Sequence, residues 1–243
     1  MRSDPVRVEV ATPDAMASEA ERTAALAILS QAERERAARI RAAPARDVFV
    51  LAHALARAAL ARAAGVPADA IALRAGARGK PEVAGPASAL ALRFNLSHTD
   101  GLAAFALARD AAVGVDVETR AREIDALALA VRFFAPAETA ALRALDPAPR
   151  RERFLTLWTL KEALLKALGV GIAGGLAHVA FDPASDPPRL LPGALAGDPA
   201  RWQLALLAPT PQHLLALAVE RAPGAPDRIV QLERAPRLTD APR

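Results

Sequence analysis

Leu90, Leu92, Phe94 and Leu96 alternate with Ala91, Arg93 and Asn95, a period of two that predicts a strand with one buried face. It runs into the polar turn Ser97-His98-Thr99-Asp100-Gly101, and apolar residues resume from Leu102 to Ala108, so 90 to 108 reads as a hairpin. Val6, Val8 and Val10 set against Arg7 and Glu9 predict another strand. Val113, Val115 and Val117 predict a third, with Asp116 and Glu118 on its opposite face. Residues 15 to 40 carry a helical pattern that Pro44 interrupts. A second helix follows over about 45 to 64, closed by Gly65 and Pro67, with Val48, Leu51 and Leu55 inward and Arg46 and Arg57 outward. Further helices are expected over 124 to 134 and 136 to 145. The stretch W-T-L-K-E-A-L-L-K-A-L-G, Trp158 to Gly169, is the best-defined of all. Leu157, Leu160, Leu164 and Leu168 form its apolar stripe, and Gly169 supplies a stop. Short strands are expected at 71 to 74, 179 to 181, 202 to 207 and 214 to 219. Residues 222 to 243, rich in Pro and charge, predict an extended or disordered tail.

Helices followed by strands occur twice, with a break near 109 to 112, which predicts an α+β fold of two halves. The expected boundaries are 1 to 110 for the N-terminal half, 111 to 221 for the C-terminal half and 222 to 243 for the tail. The chain's 243 residues are ample for a core. Its 53% hydrophobic content is inflated by Ala, and only 4% is aromatic, so Leu, Val and Ala must supply that core. A net charge of +4, mostly from Arg, favours anionic partners. With no Cys, disulfides, thiolate metal sites and Cys nucleophiles are excluded. The first ten residues lack a signal peptide's apolar core, and no apolar run reaches the ~18 residues of a membrane span. A soluble, cytoplasmic protein with no membrane partner is expected.

Asp116 and Glu118 on one strand face repel unless solvent or a cation intervenes. Their spacing suits a hard cation such as Mg²⁺, which needs few protein carboxylates when a phosphate supplies other ligands; the alternative is a solvated strand face. Glu162 and Lys166, four apart, share a helix face, as an ordinary surface ion pair would. Gly79-Lys80-Pro81 forms a turn that projects a lysine, for solubility or for an anion. Ser97 and His98 cap a turn or belong to a site mounted at a strand end.

Gly79-Lys80-Pro81, F-N-L-S-H-T at 94 to 99, G-V-D-V-E at 114 to 118, Phe133-Phe134 followed by Glu138, and the 158 to 169 stretch occur in this order. Together they resemble the 4′-phosphopantetheinyl transferases of the Sfp type. The resemblance implies two similar α+β halves joined as a pseudo-dimer, with the site in the cleft between them and a working monomer. It implies transfer of the 4′-phosphopantetheine arm of coenzyme A, the co-substrate, to a serine of an apo acyl, peptidyl or aryl carrier protein, with release of adenosine 3′,5′-bisphosphate. Asp116, Glu118 and Glu162 are then the ligands of Mg²⁺, or of Mn²⁺ in its place. Glu162 is the base for the serine proton, directly or through water, and Lys166 holds the pyrophosphate. Arg46, Lys80, Ser97 and His98, together with Asp116 and Lys166, contact coenzyme A; Arg36 and Arg39 are further candidates. Lys161, one position off that helix face, receives no role.

Two other readings use the same residues. A Mg²⁺-dependent phosphohydrolase would employ the same carboxylates and act without a carrier protein. A non-enzymatic module would bind nucleic acid or acidic protein through Arg34 to Arg46. The transferase reading expects no nucleic-acid partner.

Overall fold

A computed structural model describes residues 4–76, 78–171 and 175–241. The chain divides into two compact units, Met1–Ala111 with Arg228–Arg243, and Ala112–Asp227.

Unit 1 begins with strand β1 (Val6–Ala11) and continues through helices α1 (Glu19–Ile28), α2 (Gln31–Arg39) and α3 (Ala43–Ala64). The single helical pattern expected over 15 to 40 is two helices. Leu29 leaves the helical region, and Ser30 starts α2 with a capping box in which Glu33 bonds back to the Ser30 amide. Pro44 does not interrupt a helix; it sits in the first turn of α3, where proline loses no intrahelical hydrogen bond. Arg57, expected outward, is buried: it donates to Glu33 at 2.7 Å and to the Ile71 carbonyl at 3.0 Å. A small hairpin, β2 (Ala72–Ala75) and β3 (Pro81–Gly85), leads to the larger hairpin β4 (Leu92–Thr99) and β5 (Leu102–Arg109).

Unit 2 repeats this plan. Strand β6 (Val113–Thr119) is followed by helices α4 (Ala126–Phe133), α5 (Pro136–Arg143) and α6 (Pro147–Leu168), then the hairpin β7 (Trp202–Thr210) and β8 (His213–Glu220). In both units the second hairpin strand returns antiparallel beside the first strand, β5 against β1 and β8 against β6. Each unit has one 22-residue helix with Pro in its first turn and a left-handed glycine after its end: Gly65 at φ 68° and Gly169 at φ 67°. The fold is therefore α+β with two similar halves. No strand forms over 179 to 181, where Phe181 makes only an isolated bridge with Leu190; that segment is held by other bonds described below.

The last residues return to unit 1. Strand β9 (Val230–Arg234) lies parallel to β1, and Leu238 is buried in the α3 core. The stretch expected to be extended or disordered is thus extended over 230 to 234 and hydrogen-bonded at the sheet edge. Composition alone concealed this: Val230 and Leu232 alternate with Gln231 and Glu233 over only five residues, inside a segment otherwise rich in Pro and charge. Deleting residues after Asp227 is expected to expose the β1 edge, lower the melting temperature and give concentration-dependent self-association by light scattering. An unchanged melting temperature and a constant mass would show that β9 does not protect that edge.

Candidate active site

The valines of β6 and its two carboxylates do point to opposite faces, but the carboxylate face is not solvated. It packs on α6, where Asp116 is 3% exposed and Glu118 8%. Gly114 makes the approach possible. A Cβ there would collide with the Ala163 carbonyl oxygen and the Ala167 amide nitrogen, so β6 lies against α6 backbone to backbone. Two residues along the same face, Asp116 meets Lys166. The Lys166 Nζ donates to Asp116 Oδ1 at 2.5 Å and lies 3.8 Å from Glu162 Oε2. Arg122, in the loop after β6, donates to Glu118 Oε1 at 2.7 Å. Asp116, Glu118, Glu162 and Lys166, predicted from separate stretches of sequence, are brought together inside unit 2.

Burial and crowding govern the protons here. The Glu162 carboxyl is pushed up to about 8, first by burial and next by the negative charge of Asp116, while Lys166 pulls the other way. Glu118 is also raised, by burial and then by Asp116, against the pull of Arg122 and Lys166. Both groups hold a proton more tightly folded than unfolded. Both therefore stabilise the fold most fully below the ordinary 4.5 of a glutamate and lose that contribution as pH rises; for Glu162 the loss is centred on about 8. Metal-free protein should lose stability between about pH 5 and about pH 9, and Glu162→Gln should flatten that decline. Denaturant titrations across that range, followed by tryptophan fluorescence, check this. A wild-type stability that rises with pH would oppose it.

The donor set is all carboxylate oxygen, which fits a hard divalent cation. Among the described residues no three such side chains are gathered round one point; in this arrangement Lys166 bonds Asp116 and Arg122 bonds Glu118.

Lys161 lies on the other side of α6 and is completely buried. It donates to Glu138 Oε2 at 2.6 Å and to the carbonyls of Leu176, at 3.0 Å, and Val179. Glu138 in turn accepts from the Ala135 and Phe181 amides, at 3.0 and 2.8 Å. One buried ammonium thus ties α6 to α5 and to the 176–181 segment. Twenty-three residues separate the pair, so no local periodicity betrays it. Gly114 did leave a signal, a glycine in the interior of a strand.

The residues expected at the nucleotide end lie on separate elements of unit 1. Arg46 is exposed in the first turn of α3; Ser97 is buried and His98 exposed near the end of β4. Lys80 closes a turn in which the Gly76 amide donates to its carbonyl at 2.8 Å. Burial is the first cause of its ammonium being pushed down to about 8, Glu82 resists, and the nearby Arg93 adds to the fall.

The family model for the 4′-phosphopantetheinyl transferase superfamily matches residues 112–218, and the model for the N-terminal part of 4′-phosphopantetheinyl transferases matches residues 16–109. The chain belongs to the 4′-phosphopantetheinyl transferase superfamily. The boundary between the two matches falls where unit 1 gives way to unit 2. The chain is 37% identical over 143 residues to the 4′-phosphopantetheinyl transferase HetI of a Nostoc species, covering 58% of this chain and 57% of that protein. It is 40% identical over 112 residues to psf-1 of Bacillus pumilus, covering 46% and 45%. A phosphopantetheinyl transferase of Thraustochytrium is 34% identical over 164 residues, covering 63% and 57%. The chain spans about half the length of the curated relatives it matches. No helix among the described residues is long and apolar enough to cross a membrane.

Proposed function

We propose that this protein transfers the 4′-phosphopantetheine arm of coenzyme A to a serine hydroxyl of an apo carrier protein. The observation that carries the reading is the meeting of Asp116, Glu118, Glu162 and Lys166 on the β6–α6 face of a superfamily member. In the reaction the serine oxygen bonds to the phosphorus nearer the pantetheine. The pyrophosphate bridge to that phosphorus breaks, and adenosine 3′,5′-bisphosphate departs. Glu162 accepts the serine proton once ionised. Its carboxyl, pushed up to about 8 by burial and Asp116, is a strong base in that form, and a cation held beside it would favour ionisation near physiological pH. Lys166 offsets negative charge on the departing phosphate. Asp116, Glu118 and Glu162 would hold Mg²⁺, which supplies charge neutralisation at the pyrophosphate when bound. Arg46, Lys80, Ser97 and His98 are assigned to coenzyme A, with Lys80 and His98 suited to its 3′-phosphate. Acyl, peptidyl and aryl carriers all present the serine that this chemistry needs. We further assign the protein to the cytoplasm, as a working monomer without nucleic-acid or membrane partners.

Release of adenosine 3′,5′-bisphosphate separates this reading from phosphohydrolysis. With coenzyme A and Mg²⁺ alone, none should appear; adding apo carrier should release one equivalent per carrier modified. Release without carrier would favour the hydrolase.

A further inference from the structure

Glu118 is held by a cation that the reaction does not use. Arg122 lies four residues on, in the loop between β6 and α4, and its guanidinium donates to Glu118 Oε1 at 2.7 Å. Its side chain is 43% exposed, whereas that of Glu118 is 10% exposed. The same guanidinium stands 6.0 Å from the ring centre of Trp158, on the α6 turn before Glu162. That indole is buried, and its Nε1 has no hydrogen-bond partner among the described residues.

Three carboxylates, Asp116, Glu118 and Glu162, thus stand with two cations, Lys166 and Arg122. Fully ionised, the cluster carries one negative charge in excess. A divalent ion added with both cations in place would leave one positive charge in excess, and cations crowded within a few ångströms in a buried site repel strongly. One cation must withdraw or an anion must enter. Lys166 is fixed in the last turn of α6, with 20% of its side chain exposed. Arg122 belongs to a loop and has solvent on one side. It is the group able to let go.

We propose that Arg122 is an internal competitor for the divalent cation: it occupies Glu118 while the metal is absent and yields that carboxylate when the metal binds. The inference rests on the assignment of Asp116, Glu118 and Glu162 as metal ligands. It makes Arg122 a setter of metal affinity: the apparent affinity falls in proportion to the fraction of molecules in which the guanidinium occupies Glu118. Because the guanidinium leaves the neighbourhood of Trp158, metal binding should alter indole emission. Trp202, which donates to the Ala196 carbonyl at 2.9 Å, contributes a common background.

The test is calorimetric titration of MgCl₂ into wild type, Arg122→Ala, Arg122→Lys and Asp116→Ala, with tryptophan emission recorded alongside. Arg122→Ala should bind Mg²⁺ about tenfold more tightly, an effect of the size expected when a partly screened cation is removed from a site. Arg122→Lys, which keeps the charge, should stay near wild type. The Mg²⁺-dependent emission change of wild type should vanish in Arg122→Ala. Binding by wild type that Asp116→Ala abolishes, with Arg122→Ala equal to wild type or weaker, overturns the competitor role and leaves the ligand assignment standing. No binding by either wild type or Arg122→Ala overturns both.

Discussion

Lys161→Met is expected to lower the stability of unit 2 by about 3–5 kcal/mol, the usual consequence of removing one partner of a buried ion pair. Methionine fills most of the volume but returns none of the bonds. The Glu138 carboxylate, 1% exposed, would keep only the Ala135 and Phe181 amides, and the Leu176 and Val179 carbonyls would lose their donor. Burial already pushes the Lys161 ammonium down, against the pull of Glu138. The network is therefore held in place by its complete set of partners and does not survive with one missing. Urea unfolding followed by tryptophan fluorescence reads unit 2 specifically, because Trp158 and Trp202 both belong to it. Lys161→Met/Glu138→Leu should regain part of the loss, since it removes the stranded carboxylate as well. A loss below about 1 kcal/mol in the single variant would mean that the pair contributes no more than a surface ion pair.

The contrast between Lys161 and its neighbour Glu162 shows what could be read from the sequence. Helical spacing placed Glu162 and Lys166 on one face, and strand alternation placed Asp116 and Glu118 on another; both placements hold. Spacing does not say what covers a face. The β6 carboxylates are buried because Gly114 admits α6, and α6 is buried nearly all round from Phe154 to Ala167, which blurs its stripe. The repeat of strand, helices and hairpin was legible because each element has its own period or stop signal: valine alternation in β1 and β6, and Gly65 and Gly169 after the long helices. Contacts between distant stretches were not legible. Glu138 with Lys161, Glu33 with Arg57, and β9 beside β1 each join segments that no short window compares.

Glu162→Gln is expected to cost transfer about 10²- to 10⁴-fold, the range for losing a general base. It should leave the fold intact. Glutamine has nearly the shape of the protonated acid, and burial together with Asp116 makes the protonated acid the preferred form up to about pH 8. Stability near neutral pH should therefore match wild type or exceed it, the opposite of Lys161→Met one residue away. Steady-state transfer rates and urea midpoints on the same preparations separate the two roles. Equal activity of Glu162→Gln and wild type would remove Glu162 from the chemistry.

The function itself is tested most directly by the intact mass of an apo acyl or peptidyl carrier protein after incubation with this protein, coenzyme A and Mg²⁺. The expected result is a gain of one 4′-phosphopantetheine per carrier with wild type and almost none with Glu162→Gln over the same time. An unchanged mass across several carrier types, with the protein demonstrably folded, would contradict the assignment.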